Sequence, residues 1–205
     1  MKKPFVIPTS VKSFHDYFNL TASTETIATA LGYTFQQASL MLPQSEAIPE
    51  WTVPLQERLR RLLINITLDS ESARREFLIA PVLIELSNAL NLKLRSELDV
   101  NVSDQLHGDL DYLLQTKEHR LLVVEAKQGD TSRGMSQLVA EIAALDQWTI
   151  SEEPVLYGAL STGDIWRFAH LERGTKTITQ DVNLFRVPAD LTELSRVLVG
   201  ILQGI

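Results

Sequence analysis

Asp111, Glu125 and Lys127 are the residues whose types and spacing point most directly to chemistry. In LLVVEAK, alternation puts Leu121, Val123, Glu125 and Lys127 on one strand face and Leu122, Val124 and Ala126 on the other. The charged pair continues an apolar row, where a charge needs a partner, a metal or water. In GDLDYLL, Asp109 and Asp111 share a face with Leu113. If the two strands are neighbours, Asp111 and Glu125 converge on one hard cation through oxygen atoms, leaving room for waters and a phosphate. Lys127 would then hold an attacking water or offset charge on a phosphoryl oxygen. A strand-end salt bridge uses the same Glu125 and Lys127 and is the competing reading. Asp109 reads as a solvated turn residue.

The surrounding elements must place these side chains. STETIATALG suggests a helix from about Thr24 to Leu31, whereas GYTFQQASLML fits no single period. PLQERLRRLLINITL carries Leu55, Leu59, Leu62 and Ile66 at helical spacing. SARREFLIAPVLIELSNALN is helical too, but Pro81 cannot donate to the Phe77 carbonyl, so a bend or division is expected just beyond Glu76. LKLRSELDVNV, GDLDYLL and RLLVVEAK read as strands. Gly129 and Asp130 mark a turn, and a helix follows from about Arg133 to Trp148. VLYGALST is strand-like, and a hairpin is expected around Gly174. A final helix opens at DLTE, where Asp190 and Glu193 could form a capping box. Helices before, between and after strands indicate an α/β domain with a mixed central sheet flanked by helices.

Bulk properties set limits on partners. The 205 residues, 44% hydrophobic and 22% charged, suffice for one well-packed domain. The absence of cysteine excludes disulfides, thiolate metal sites and cysteine nucleophiles. His15, His107, His119 and His170 lack zinc-site spacing. The opening MKKPFVIPTS lacks the apolar run of a signal peptide, and no segment reaches the roughly 18 apolar residues of a membrane span. A soluble, cytoplasmic protein without a membrane partner is therefore expected. A formal charge of -7 opposes a large nucleic-acid footprint, unless basic residues are gathered on one face.

GDLDYLLQTKEHRLLVVEAK resembles the signature of the PD-(D/E)XK nuclease superfamily, and is similar to the amino-terminal nuclease-like domains of type I restriction subunits. In that pattern Asp111 matches the aspartate of one strand, while Glu125 and Lys127 match the E-x-K triplet of the next. Leu110 stands where many members carry proline. The resemblance covers about Ser70 to Leu171 and adds Glu76 as a carboxylate from the preceding helix and Gln137 as the glutamine of the following one. It implies a restriction-endonuclease-like core in residues 51–205, with residues 1–50 as an amino-terminal extension packed on it.

The activity so implied is phosphodiester hydrolysis of nucleic acid, DNA in preference to RNA, with Mg²⁺ as cofactor and Mn²⁺ as a substitute. Asp111, Glu125 and the Ala126 carbonyl would bind the ion, Glu76 would bind it directly or through water, and Lys127 would position the nucleophilic water. Gln137 would orient Lys127 or contact the substrate backbone. Arg74, Arg75 and Arg133 are the candidate phosphate contacts, and Lys117, His119 and Arg120 lie in the connecting hairpin. A homodimer or a partner protein is compatible with this pattern. An inactive nuclease-fold module serving nucleic-acid binding or protein assembly is the alternative.

Overall fold

A computed structural model describes residues 5–117 and 120–205, so His119 lies outside the described residues. The elements are α1 (Phe14–Phe18), α2 (Thr24–Ala30), β1 (Thr34–Ala38), α3 (Thr52–Leu62), α4 (Glu71–Arg74), a π-helical segment (Arg75–Ile79), α5 (Ala80–Leu90), β2 (Lys93–Ser103), β3 (Leu106–Gln115) and β4 (Leu121–Ala126). Then come α6 (Thr131–Trp148), β5 (Val155–Ser161), β6 (Ile165–Glu172), β7 (Thr177–Asp181), β8 (Phe185–Arg186) and α7 (Leu191–Gln203). Strand order is β1-β7-β6-β5-β4-β3-β2, with β8 paired to β6. The β1–β7 and β4–β5 pairs are parallel and the others antiparallel, so this is an α/β fold with a mixed central sheet flanked by helices.

The alternation in β4 divides its side chains between two cores. Val123 joins α6 and the amino-terminal helices in one, with Phe14, Ile27, Leu138 and Ile142. Leu122, Val124 and Ala126 join Leu83, Trp166, Phe168 and Leu198 in the other, under α5 and α7. The strand is buried on both sides, as a parallel pairing covered by helices requires. Glu125 and Lys127 follow Val123, so their side chains enter the layer beneath α6.

Glycine permits α6 to lie close to that layer. A Cβ on Gly158 would stand 2.8 Å from Ile142 Cδ1 and 3.0 Å from Leu138 Cδ1. A Cβ on Gly134 would stand 2.8 Å from Leu160 Cδ1 and 3.1 Å from Lys127 Cγ. Gly134→Ala is therefore expected to cost about 1–3 kcal/mol by overpacking and to displace the Lys127 stem. Urea denaturation measures the first effect. Unchanged stability would mean that α6 shifts freely over β4 and does not fix Lys127.

The turn before α6 is locally determined. The Asp130 side chain accepts the amides of Ser132 and Arg133, both at 3.1 Å, which starts the helix at Thr131. At α7 the expected capping box is absent, because Asp190 makes no side-chain cap. Its carboxylate is taken by Arg186, through Nε at 2.8 Å and Nη2 at 2.9 Å. A charged bidentate partner outcompetes a helix amide.

The interruption expected at Pro81 takes the form of a π-helical segment, followed by α5 with proline in its first turn. A wider turn accommodates the missing proline amide and its crowding of the Phe77 carbonyl.

The first fifty residues were expected to be an extension packed on the core; they also complete its layers. β1 joins the sheet in parallel with β7, and Phe14, Tyr17, Ile27 and Ala28 are buried in the core against α6. Among the described residues no helix is long and apolar enough to cross a membrane.

Candidate active site

Asp111 lies where one pair is missing from the β2–β3 ladder while the register is the same on either side; the register shift of these strands falls at Asn101/Ser103. The register passes from Ser96↔Tyr112 to Leu98↔Leu110, omitting Glu97 and Asp111, and Glu97 has φ of 51°. Side-chain alternation slips at the same point, since Leu110 faces the α6 core and Tyr112 the opposite core. A left-handed residue within a strand rotates the following side chains and exposes a local gap in the ladder.

β3 and β4 pair antiparallel at Tyr112↔Val124, which makes Asp111 and Glu125 cross-strand neighbours. Asp111 Oδ2 accepts the Ala126 amide at 2.8 Å, and Oδ1 pairs with Arg75 Nη1 at 3.3 Å. Ala126, expected to lend its carbonyl to an ion, lends its amide to Asp111. Beyond β4, the Lys127 amide bonds the Ser161 carbonyl at 2.8 Å and prolongs the register with β5.

Glu125 and Lys127 are 1% and 5% exposed and form an ion pair with each other. Lys127 Nζ also lies 3.9 Å from Glu71 Oε2 and 5.6 Å from the Phe18 ring centroid. Burial lowers the Lys127 pKa, but Glu125, Glu71 and Asp111 more than offset this and hold the ammonium above its usual value.

α6 brings a second buried carboxylate to the layer. Gln137 Nε2 donates to Glu141 Oε1 at 2.9 Å, and both residues are buried. Glu125 and Glu141 meet side chain to side chain, a contact that one proton between the two carboxyl groups satisfies, and among the described residues Gln137 Oε1 has no hydrogen-bond partner. Burial above all, then the charges of Glu141 and Asp111, push Glu125 well above the usual carboxylate range despite Lys127. Burial likewise pushes Glu141 up to about 7. One ammonium can balance one of these two carboxylates, so the second keeps a proton near neutral pH.

The other expected residues are distributed differently. Glu76 is exposed and lines a groove with Arg75, Glu97 and Tyr112 to which neither Glu125 nor Lys127 contributes. The helix carboxylate that approaches Lys127 is Glu71, at the start of α4. The π-helical segment lies between Glu71 and the α5 turns, so straight α-helical phasing does not identify Glu71. Gln137 hydrogen-bonds Glu141, four residues on, not Lys127.

Of the arginines, Arg74 is clipped to the Thr162 carbonyl and to Asp164, both at 2.8 Å, and serves the fold. Arg75 faces Asp111, while Arg133 is exposed and lies 3.4 Å from Asp130. Arg120 pairs with Glu153 at 3.3 Å, and Lys117 is exposed.

Among the described residues no group of three His, Asp or Glu side chains is gathered to hold a metal ion. Mg²⁺ needs fewer, since it binds through one or two carboxylates and keeps several waters. Asp111 and Glu125 would supply that oxygen donor set, Glu125 being a buried carboxyl group whose charge is now met by the Lys127 ammonium and by a proton shared with Glu141. On those grounds the residues fit a hard divalent cation.

Comparison with known proteins finds no matching family model, curated protein or solved structure.

Proposed function

We propose that this protein hydrolyses phosphodiester bonds in nucleic acid, DNA in preference to RNA, with Mg²⁺ or Mn²⁺ held by Asp111 and Glu125. The observation that supports this reading is the meeting of the buried Glu125 and Lys127 from one strand, and the buried Glu141 from α6, with the partly exposed Asp111 of the next strand. Burying two acids and a lysine together costs folding free energy unless they are paired, so a functional use is the economical explanation.

The cation would supply Lewis acidity at the scissile phosphate and stabilise its negative charge. Lys127, fixed between Glu125 and Glu71, would orient a water for attack on phosphorus. The water oxygen bonds to phosphorus as the P–O bond to the leaving nucleoside breaks, and the proton that the water loses passes through solvent to the departing oxygen, giving a phosphomonoester and a hydroxyl. Glu141 would orient Glu125 across the buried layer, and Gln137 would orient Glu141. Arg75 and Arg133 would meet substrate phosphates.

A cytoplasmic setting belongs to the same proposal. With a net charge of -7, much of the nucleic-acid contact would come from local basic residues, from a second copy or from a partner protein. A second reading, an inactive module of the same fold, is favoured by the ion pair that occupies Asp111 Oδ1.

The deciding experiment is incubation with Mg²⁺ and single-stranded, duplex and branched DNA, and RNA, at low and moderate salt. Cleavage abolished by chelator is the expected result. Folded, metal-binding protein that cleaves none of them would transfer the proposal to the inactive module.

A further inference from the structure

We propose that Arg75 is a phosphate-responsive latch on Asp111, holding the carboxylate until a phosphate of the nucleic acid draws the guanidinium away. This rests on the hydrolase reading above and adds to it a residue that couples substrate arrival to cation binding.

Both Asp111 oxygens are engaged, but by partners of different kinds. The Ala126 amide on Oδ2 belongs to the β4 backbone. Arg75 on Oδ1 is a side chain with alternatives, since its Nη2 lies 3.4 Å from Glu97 Oε1 and its guanidinium carbon 5.2 Å from the Tyr112 ring centroid. The Glu97 side chain is 70% exposed, so this outer support faces solvent.

Arg75 also has an entry route beside it. A groove of about 460 Å³ is lined by Arg75, Glu76, Ile84, Leu94, Glu97 and Tyr112, and opens beside the guanidinium that pairs with Asp111. Arg74 is committed to Thr162 and Asp164, which leaves Arg75 as the adjacent arginine that faces the acid.

Exchange of partners is balanced in charge. A phosphate matches the guanidinium fork in bidentate fashion, and a divalent cation then replaces the guanidinium at Asp111. Neither the acid nor the arginine is left unpaired, whereas without phosphate a displaced Arg75 would keep only the solvent-exposed Glu97 and the Tyr112 ring as its partners here. Cation and phosphate should therefore bind each more tightly in the presence of the other.

The test is a Mn²⁺ titration followed by electron paramagnetic resonance, with and without thymidine 3′,5′-bisphosphate, which offers phosphates but no diester to cleave. Arg75→Met keeps an unbranched apolar side chain over Tyr112, and Arg75→Gln is the second variant; circular dichroism selects those that fold. Without the bisphosphate, the variants should bind Mn²⁺ about tenfold more tightly than the parent chain. The bisphosphate should tighten Mn²⁺ binding to the parent and leave the variants unchanged. Equal Mn²⁺ affinities, with the same response to bisphosphate, would overturn the latch and leave the hydrolase reading standing. Absence of Mn²⁺ binding in parent and variants alike would overturn the metal site itself.

Discussion

Lys127→Ala should fold, bind Mg²⁺ and lose about 10³-fold in cleavage rate, the scale of removing one preorganised donor from a reacting oxyanion. Asp111→Asn and Glu125→Gln should lose cleavage to the same degree and lose Mg²⁺ binding as well. The contrast arises from position. Lys127 Nζ is held by two carboxylates, Glu125 and Glu71, and touches the cation site only through Glu125. Removing it leaves Glu125 without its counter-ion, so a cation becomes the remaining means of compensation and Mg²⁺ affinity should hold or rise. Loss of a buried partner costs stability in either case, but for a purely structural salt bridge Lys127→Ala would leave any cleavage by the folded protein intact. Rates from single-turnover assays, together with calorimetric Mg²⁺ titration of each variant, separate the two.

The readable part of this site is its strand geometry. A period of two fixes which side of β4 Glu125 and Lys127 occupy, and one hairpin length between GDLDYLL and RLLVVEAK makes the strands neighbours. Those relations survive in the structure because both faces of β4 are buried and a one-residue slip would bury the wrong set. The helices were harder to place. Glu76 is the last acid before the proline, but a π-helical segment intervenes between α4 and α5, and Glu71 approaches Lys127 instead. Local spacing could not show this, because the phase change depends on how Pro81 is accommodated.

Glu141 was visible in principle. It lies four residues after Gln137, inside the apolar stretch LVAEIAAL, a spacing that puts both on one face. Only the packing of α6 on β4 shows that this face meets another acid. β1 was hidden for a different reason: TFQQA is short and polar, and its partner β7 is more than a hundred residues away in sequence. Its burial pattern lacks a continuous apolar side, so periodicity had no signal to detect.

Glu141→Gln should stabilise the protein at pH 8 and leave it nearly unchanged at pH 4.5, with Mg²⁺ removed by chelator. Burial raises Glu141 from 4.5 to about 7, so the folded chain binds a proton that the unfolded chain releases in this interval. Stability from that proton is complete below about 4.5 and is lost as pH rises through about 7; the loss amounts to roughly 3 kcal/mol over the interval. Glutamine keeps the shape and cannot ionise, so urea denaturation of the variant should give a flatter pH profile than that of the parent. Glu125 is raised in the same direction and remains in both proteins, so flattening will be partial. Coincident profiles would show that Glu141 titrates as an ordinary acid and does not share a proton in the buried layer. Mg²⁺ then distinguishes a strained core from a binding site. A cation held at Asp111 and Glu125 can replace the missing proton in balancing the Glu125 and Glu141 carboxylates, so millimolar Mg²⁺ should restore parent stability at pH 8 and add little at pH 5, where protons already occupy the carboxylates. Equal stabilisation at both pH values would place Mg²⁺ elsewhere on the molecule and remove the cation from Glu125.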